Sequence, residues 1–486
     1  MNPQIILYSI LVYTILLFVV SWLTSRKSNN ESFFIGNRKS PWIVVAYGMI
    51  GASLSGVTFI SVPGWVGDTQ FSYMMVVFGY LLGYIAIATI LLPLYYRLKL
   101  TSIYTYLEQR FGYWSHKTGA FYFLISRIIG ASFRMFLVIN VLQLFIFDSY
   151  QISFTFTTII FMILILLYTF QGGIKTIIWT DTFQTTFMLG AVVYSIVIIV
   201  QSLDLSFFEI TRKVIDSSYS QIVFTDWHDS RYFIKQFLSG AFIAIVMTGL
   251  DQDMMQKNLS CKKLPDAQKN MISLSIILVF VNLMFLFLGA ILFIYADSKG
   301  IPIPELTDNL FPTIALSYLG PLAGIVFIIG IISAAYPSAD GALTALTTSF
   351  SIDILKIEKL PYSESKKIRL RKVVHLSMAA FLTLVIIGFS AINNEAVISK
   401  LFTIAGYTYG PLLGLYSFGL FSKRSVKDKW VPVIALLSPI ICYIVSENSV
   451  KWFNGYHFGF ELLILNGMIT YLGLFIMSNT KNSIKK

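Results

Sequence analysis

The stretch Met49-Ile-Gly-Ala-Ser-Leu-Ser-Gly-Val-Thr58, continued by Phe59-Ile-Ser-Val-Pro-Gly-Trp65, decides the fold of this chain. It lies in an apolar segment long enough to cross a membrane, yet glycines, hydroxyl side chains and a Pro-Gly pair interrupt it. Backbone that leaves helical hydrogen bonding is tolerated in a bilayer where it is buried in protein or lines a cavity. Helices broken in this way form mid-membrane ion and solute sites. The stretch therefore predicts a broken transmembrane helix that lines a site.

The composition indicates an all-α integral membrane protein. Hydrophobic residues make up 56% of the chain, charged residues 12%, and the mean hydropathy is +0.73. Windows of about 20 apolar residues, the length that crosses the hydrocarbon core as helix, recur along the chain. About thirteen spans are predicted, near residues 3–24, 42–66, 72–96, 118–147, 152–170, 183–202, 233–256, 271–295, 317–352, 373–391, 398–421, 430–445 and 459–478.

The net charge of +12 predicts topology rather than a nucleic-acid partner. With the N-terminus outside, about three quarters of the 36 Lys and Arg residues fall in loops on one side of the membrane. The positive-inside rule assigns those loops to the cytoplasm. We expect a multi-pass protein of the cell membrane with a cytoplasmic C-terminus, with the lipid bilayer as a partner and no nucleic acid.

A weak internal symmetry predicts an inverted repeat. Spans 42–66 and 233–256 carry polar interruptions, and each is followed by four more spans, as in transporters built from two inverted halves. The expected units are 1–41 (an extra helix and loop), 42–202 (the first five-helix repeat), 203–232 (an outer loop), 233–421 (the second repeat) and 422–486 (two further helices and the tail).

The ninth span carries the residues Ser333-Ala-Ala-Tyr-Pro-Ser-Ala-Asp-Gly-Ala-Leu-Thr344. Small residues alone favour close helix packing, but an acid such as Asp340 at mid-bilayer is a functional candidate. Pro337 lacks an N–H and frees the carbonyl of Ser333 beside Ser338, which leaves hard oxygen ligands for an alkali cation. Ala334 lies four residues before Ser338, and Asp340 four before Thr344. The spacing permits two cation sites on one helix.

Asp181, in Gly172-Gly-Ile-Lys-Thr-Ile-Ile-Trp-Thr-Asp181, has two interpretations. The glycines end one helix, so Thr180 or Asp181 is a candidate cap of the next. Asp181 is equally a candidate to join Asp340 around a cation. Both roles remain open at the level of sequence.

Two arginines lie two helical turns apart inside the fourth span and share a face that avoids lipid. For Arg127 we favour a structural ion pair with Asp181, Asp251 or Asp340. Arg134 is a candidate clamp for a solute carboxylate, because the guanidinium fork matches that geometry.

The chain resembles the sodium/solute symporter family, which includes proline, galactose and sialic acid transporters. The resemblance covers nearly the whole chain. Its most specific parts are Tyr168-Thr with Gly172-Gly173, Thr180-Asp181 with Gln184, Asp251-Gln252 with Gln256-Lys257, the small-residue ninth span, and Gly419-Leu-Phe-Ser-Lys-Arg424. It implies a LeuT-like core of five plus five helices, preceded by one extra helix and followed by two.

The resemblance also implies a main sodium site, with carbonyls from Gly51, Leu54 and Ala334 and the hydroxyl of Ser338. Pro337 stands where the family usually has a second hydroxyl, and the freed Ser333 carbonyl is expected to compensate. A second sodium site would use Asp181 with the positions of Asp340 and Gly341 in this chain, and we add Thr344 from the helical spacing. Sodium is favoured there over a shared proton.

Candidate solute ligands come from four helices. Ser53, Ser55 and Thr58 match positions that face the solute in the sialic acid type, and Arg134 is about one turn from the arginine of that type. Thr248 and Thr408 lie beside the polar or Gly-Pro interruptions of the seventh and eleventh spans. The lysine and glutamine of the galactose type are missing from the corresponding helices.

We therefore predict a sodium-coupled symporter, and not an enzyme, that imports a small polar solute by alternating access as a monomer. Sodium is the co-transported ion, and a sugar, an amino acid, sialic acid or another organic acid is the solute, with an anion preferred. A membrane-embedded enzyme, a passive channel and a proton-driven symporter are the alternatives.

Overall fold

The computed structural model describes residues 3–25, 29–390 and 397–479. Several basic positions used for the topology, namely Arg26, Lys27, Lys481, Lys485 and Lys486, lie outside these residues. The long helices are α1 (Pro3–Ser25), α2 (Trp42–Thr69), α3 (Tyr73–Arg97), α4 (Tyr113–Phe145), α5 (Phe154–Gly172), α6 (Ile174–Ser202), α7 (Phe233–Gly249, then Gln252–Leu259), α8 (Leu264–Lys299), α9 (Pro321–Ile354), α10 (Glu364–Ser390), α11 (Val397–Phe421), α12 (Val431–Glu447) and α13 (Leu462–Ile476).

Each of the thirteen predicted spans coincides with one of these helices. In the described part of the chain, nine helices are long and apolar enough to cross a membrane, or ten if the two segments of α7 are one bent span. Phe154–Phe170 and Leu462–Ile476 are apolar but shorter. The count of thirteen therefore stays a prediction, whereas the all-α membrane class is confirmed.

The connections carry short helices. On the side assigned to the cytoplasm these are Asn30–Ile35 before α2 and Thr105–Arg110 between α3 and α4. On the opposite side they are Phe207–Asp216 after α6 and Leu310–Ser317 before α9. The strands Ser425–Val426 and Ser478–Asn479 form one small antiparallel pair.

The predicted interruptions in α2 and α7 are both present. Ser55, inside α2, has φ +43° and ψ 173°, a backbone conformation that is strained for any residue but glycine. The two segments of α7 meet at an angle of 65° across Leu250 and Asp251. Each proposed half therefore begins with a broken helix.

Helix packing follows the pattern of an inverted repeat. α2, the first helix of the first half, packs on α8, the second helix of the second half. α7 and α3 form the corresponding pair with the halves exchanged. α6, the fifth helix of the first half, packs on α9, the third helix of the second half, and α11 and α4 form the equivalent pair with the halves exchanged. The contacts support the two five-helix units that the sequence predicts.

Glycines allow α3 and α7 to approach backbone to backbone. A Cβ on Gly79 would overlap the carbonyl oxygen of Phe237, and a Cβ on Gly240 would overlap that of Val76. Gly83, one turn beyond Gly79, lies equally close to the carbonyl of Ala241. Small residues at this spacing are how membrane helices reach such separations.

Prolines inside the C-terminal helices free carbonyls that neighbouring side chains satisfy. Pro411 removes the usual partner of the Tyr407 carbonyl, which instead accepts from Asn466 Nδ2 of α13 at 2.9 Å. Pro439 does the same to the Ala435 carbonyl, which accepts from the Tyr122 hydroxyl at 2.6 Å. Hydrogen bonds at these prolines thus join α12 and α13 to the core.

We expect Gly79→Ala to lower the thermal stability of the purified protein, because the new methyl group meets backbone that has nowhere to move. Overpacking of this kind costs about 1–3 kcal/mol. Gly190→Ala in α6 is the matched control, since its Cβ would meet nothing within 4 Å. An unchanged melting temperature for Gly79→Ala would contradict the close α3–α7 contact.

Candidate functional site

A cavity of about 80 Å³ lies at the break in α2. Five of the six predicted solute ligands line it: Ser53, Ser55, Thr58, Arg134 and Thr248. The sixth, Thr408, lies instead on a small adjoining cavity of about 10 Å³ that shares Arg127, Arg134 and Met247 with the first. Its hydroxyl donates to the carbonyl of Ile404 in its own helix at 3.0 Å.

Arg134 is the basic group of the cavity that lacks a nearby acid. No described carboxylate lies within ion-pair distance of its guanidinium, and its Nε is buried without a hydrogen-bond partner among the described residues. Arg127, two turns earlier, is paired. The Arg134 guanidinium is therefore without a direct ion-pair partner in the described part of the chain, which favours an anion in this cavity.

Tyrosines and an asparagine that sequence reasoning missed complete the polar lining. The hydroxyls of Tyr73 and Tyr80 lie 3.0 Å apart, and that of Tyr84 lies 3.4 Å from the Thr248 hydroxyl. Asn282 of α8 is buried and lines the same cavity. Their signal in the sequence is weak, because tyrosines are abundant in this chain and none of these interrupts its helix.

Four aromatic rings lie between this cavity and a second one of about 200 Å³, and Tyr73 lines both. Trp65 lies 6.0 Å from Tyr73 and 6.1 Å from Phe460, and Phe402 lies 6.5 Å from Tyr73 and 4.8 Å from Phe460, measured between ring centroids. Phe460 comes from the connection before α13, so the C-terminal segment contributes to this aromatic layer.

The predicted main sodium residues lie at one level where α2 and α9 run antiparallel. A Cβ on Gly330 of α9 would contact the Phe59 ring of α2. Because both helices rise by about 1.5 Å per residue, two turns from that contact bring Gly51 level with Ser338. Leu54, five residues before Phe59, and Ala334, four residues after Gly330, each lie about one turn from this contact. Counted from this contact, the predicted ligands of α2 and α9 lie at a similar depth.

Both helices offer oxygen atoms at this level. The non-helical φ and ψ of Ser55 interrupt the helical path of α2, and the carbonyls of residues 51–54 stand in the turn before it, where intrahelical hydrogen bonding is weakened. In α9, the Ser338 side chain is fully buried and its hydroxyl has no hydrogen-bond partner in the described part of the chain. The Ser333 hydroxyl, by contrast, is bonded to Tyr13 of α1 at 2.8 Å.

Asp181 is not a helix cap. α6 begins at Ile174, directly after Gly173, so Asp181 lies more than one turn inside the helix and the capping interpretation is wrong. Its carboxylate forms an ion pair with Lys257 Nζ of α7 at 2.8 Å. One turn further, the Thr185 hydroxyl accepts from the Gly51 N–H at 3.1 Å, which fastens α6 to the break in α2.

Asp340 lies close to Asp181 in depth. Gly330 of α9 packs against Ala191 of α6. Asp340 lies ten residues after Gly330 and Asp181 lies ten residues before Ala191, so both acids lie about 15 Å from this contact along their helices. Asp340 Oδ2 accepts from the Tyr168 hydroxyl at 2.8 Å, whereas its Oδ1 and the Thr344 hydroxyl are buried without described partners. Unpaired oxygens therefore remain on this face of α9.

Arg127 forms the structural ion pairs predicted for it. It contacts Asp251 at 3.7 Å, but its closer partner is Asp253, which sequence reasoning missed. Asp251 also caps the second segment of α7 and accepts from the Tyr409 hydroxyl at 2.8 Å. Asp253 in turn lies 3.4 Å from Lys257.

A glycine lets this charge network reach α9. A Cβ on Gly341 would overlap the Asp253 carboxylate, so only glycine allows that acid to lie against the backbone beside Asp340. The pattern Asp253-x-x-x-Lys257, with one helical turn between opposite charges, is the signal that would have identified the missed residues.

Comparison with known proteins places this geometry in a family. The model of the sodium:solute symporter family matches residues 33–428. The sodium/sialic acid symporter NanT of Aliivibrio fischeri is 25% identical over 92% of this chain and 88% of its own length. A solved structure described as the substrate-bound outward-open state of a Na⁺-coupled sialic acid symporter aligns with a TM-score of 0.83 over 98% of this chain and 99% of that chain, at 20% identity.

A structure of Mhp1, described as a nucleobase-cation-symport-1 family transporter, aligns with a TM-score of 0.58 over 92% of this chain and 93% of that chain, at 14% identity. At these identities the structural matches show the fold alone, and they confirm the predicted LeuT-like class. Since the family model covers most of the sequence, the chain belongs to the sodium:solute symporter family.

Proposed function

We propose that sodium binds between the break in α2 and the middle of α9, to the carbonyls of Gly51, Leu54 and Ala334 and the hydroxyl of Ser338. The observation that carries this proposal is the Ser338 hydroxyl, fully buried with no described protein partner. A buried hydroxyl without a partner is costly, and a cation with oxygen ligands resolves that cost. The carbonyl freed by Pro337 supplies a further oxygen next to it.

A second cation is proposed for the face of α9 that carries Asp340 and Thr344. Three acids of the network (Asp181, Asp251 and Asp253) accompany two basic partners, Arg127 and Lys257, and Asp340 lies beside them with the Tyr168 hydroxyl as its partner, so acidic side chains outnumber their basic partners at this depth. Lys257 already compensates Asp181. Asp181 therefore contributes to the second cation site only through its ion pair with Lys257. The Asp340 and Thr344 oxygens that lack described partners are the direct ligands of this cation.

The solute is proposed to bind in the cavity at the α2 break. Its small volume holds on the order of six water molecules, which suits a solute of few heavy atoms. Arg134 provides the positive charge, and Ser53, Ser55, Thr58 and Thr248 provide hydroxyls. Thr408 would act from the adjoining cavity, as part of the wall rather than as a ligand.

The charge of Arg134 favours a small carboxylate within the class of polar solutes. The guanidinium fork binds a carboxylate through two parallel hydrogen bonds. The acid named in the description of NanT, sialic acid, agrees with an anionic solute without fixing its identity here. Neutral sugars would leave the Arg134 charge without an ion-pair partner.

Transport follows by alternating access. Sodium joins α2 to α9 and thereby completes the solute cavity, because Ser53 and Leu54 belong to the same break. The aromatic layer of Trp65, Tyr73, Phe402 and Phe460 closes the cavity on one side. Coupling is reciprocal, so sodium and solute raise each other's affinity by the same factor.

We further propose that the N-terminus is outside, that the C-terminus is cytoplasmic and that one chain is the functional unit. Reconstituted protein distinguishes the alternatives: a symporter accumulates unchanged solute against its gradient when sodium alone is asymmetric. A channel would show no uphill accumulation, an enzyme would change the solute, and a proton-driven carrier would respond to a pH gradient without sodium.

Ser338→Ala is expected to shift the sodium concentration that half-stabilises the purified protein upward by about tenfold, the effect of losing one charge-assisted contact. Thermal unfolding in sodium chloride against choline chloride measures this shift. Ser333→Ala is the matched control, because its hydroxyl bonds to Tyr13 instead. A wild-type sodium midpoint in Ser338→Ala would remove this residue from the site.

Asp340→Asn is expected to make the sodium dependence of thermal stability less steep, since one of two cations loses a charged ligand. Sodium titrations of both proteins give the steepness. Asp216→Asn, at a side chain that is 69% exposed, is the control. Equal steepness in wild type and Asp340→Asn would rule out the second site.

Arg134→Gln is expected to abolish sodium-dependent stabilisation by small carboxylates while neutral solutes keep their small or absent effects, because the buried charge is lost. A thermal-shift screen of short carboxylates, sugars and amino acids in sodium measures this. Arg212→Gln, at a guanidinium that is 75% exposed, is the control. Carboxylate stabilisation that survives in Arg134→Gln would contradict the proposed clamp.

A further inference from the structure

An apolar groove of about 760 Å³ lies on the lipid-facing side of the helix bundle. Its walls are α6, α8 and the short helix Phe207–Asp216 that follows α6, and it shares no lining residue with the solute cavity. Its lining includes Val193 and Val197 of α6 and Phe280 of α8, and the Phe280 side chain is 67% exposed. In a membrane the groove therefore opens toward lipid.

We propose that this groove binds one phospholipid whose headgroup carries a primary ammonium, with an acyl chain in the groove and the headgroup at its outer end. This inference goes beyond the sodium and solute sites and does not depend on them.

The short helix Phe207–Asp216 is fixed against the bundle. The side chains of Ile210 and Val214 are buried. The ring of Phe207 lies 5.9 Å from that of Phe287 in α8, measured between centroids. The groove is therefore bounded by three packed helices, and the short helix closes it at the membrane surface.

The groove has the length of an acyl chain within one leaflet. On α6 it extends from Val193 to Gln201, and on α8 from Phe280 to Phe287. At about 1.5 Å per residue these stretches are about 12 Å and about 11 Å long. The hydrocarbon of one leaflet is about 15 Å thick. Because lipid tails are as apolar as the walls, the chain explains the fit, whereas selectivity has to come from the headgroup.

Hydroxyl oxygens at the outer end of the groove accept hydrogen bonds but have no proton left to donate. Thr211 of the short helix and Ser220 of the connection after it line this end. The Thr211 hydroxyl donates to the Phe207 carbonyl at 2.7 Å. The Ser220 hydroxyl donates to the Ile215 carbonyl at 2.8 Å. A primary ammonium has three protons for such acceptors, whereas the trimethylammonium of a choline headgroup has none.

The phosphate of the same headgroup needs a donor, and Gln201 supplies one. This residue lines the groove near the outer end of α6. Its carboxamide carries two N–H donors, which suit a phosphate oxygen. Acceptors for the ammonium and a donor for the phosphate thus occur at one end of an apolar groove.

The charges around the short helix disfavour a headgroup with net negative charge. Residues 204–216 contain three acids and two bases, namely Asp204, Glu209, Asp216, Arg212 and Lys213. Arg212 lies 3.8 Å from Asp216, so part of the positive charge is already paired. A headgroup that combines an ammonium with a phosphate matches this mixed surface better than a phosphatidylglycerol does.

Native mass spectrometry of the full-length purified protein, in detergent with equal amounts of palmitoyl-oleoyl phosphatidylethanolamine, phosphatidylcholine and phosphatidylglycerol, tests the headgroup. The wild type should retain one phosphatidylethanolamine per chain, about tenfold in preference to either other lipid, the effect of a charge-assisted hydrogen bond. Thr211→Val, which keeps the shape of the side chain, should lose most of this preference. Thr383→Val in α10 is the matched control, because its hydroxyl also donates to the carbonyl four residues earlier but does not line the groove.

Val197→Trp fills the groove and should reduce the retained lipid several-fold. Val433→Trp in α12 is its control, since the two valines are 44% and 42% exposed and Val433 does not line the groove. Thr211→Val adds no volume and serves if Val197→Trp does not fold. The proposal is overturned if the wild type retains no lipid, or several lipids without headgroup preference (annular lipid only). Wild-type preference in Thr211→Val, or wild-type retention in Val197→Trp, would equally overturn it.

Discussion

Polar groups at the centre of a bilayer need partners, and the structure of this protein depends on how it meets that constraint at the break in α2. Ser55 takes a non-helical backbone conformation inside α2, which weakens the intrahelical hydrogen bonding of the turn before it, residues 51–54. The Thr185 hydroxyl of α6 accepts from the Gly51 N–H and so joins α6 to this turn. At Pro411 and Pro439, neighbouring side chains satisfy the freed carbonyls. At the α2 break we propose a cation as the partner.

The buried charged side chains meet the same need for partners. Arg127, Asp253, Lys257 and Asp181 form a continuous chain from α4 through α7 to α6, and Gly341 lets it touch α9. Such networks are held together because removing one partner leaves an uncompensated charge in a low-dielectric region. The network therefore fixes the inner half of the site, while Arg134, left out of it, keeps its charge for the solute cavity.

Much of this was predictable from sequence because the signals were local. A non-helical run in α2, a small-residue stretch with an acid in α9, and two arginines inside an apolar span each violate what lipid permits, so they identify the site regardless of tertiary structure. The inverted repeat followed from the same kind of signal, since α2 and α7 are both interrupted. The preference for structural pairing of Arg127 was correct for Asp251.

What was missed depends on contacts between helices that are distant in sequence. Lys257 was part of a quoted motif and Asp253 lay between its two halves, but their roles follow from the 65° bend of α7, which turns them toward Arg127 and Asp181. Asp181 was misread as a candidate cap because Gly172-Gly173 suggested a later start for α6 than Ile174. The aromatic layer could not be predicted because Phe460 reaches it from outside the core repeat.

The most direct test of the proposed sodium site is an experimental density map of the protein in sodium and in choline. The account predicts a density peak in sodium alone, bounded by the carbonyls of Gly51, Leu54 and Ala334 and the Ser338 hydroxyl. A continuous helix through Ser55, or a Ser338 hydroxyl bonded to protein in both maps, would contradict it.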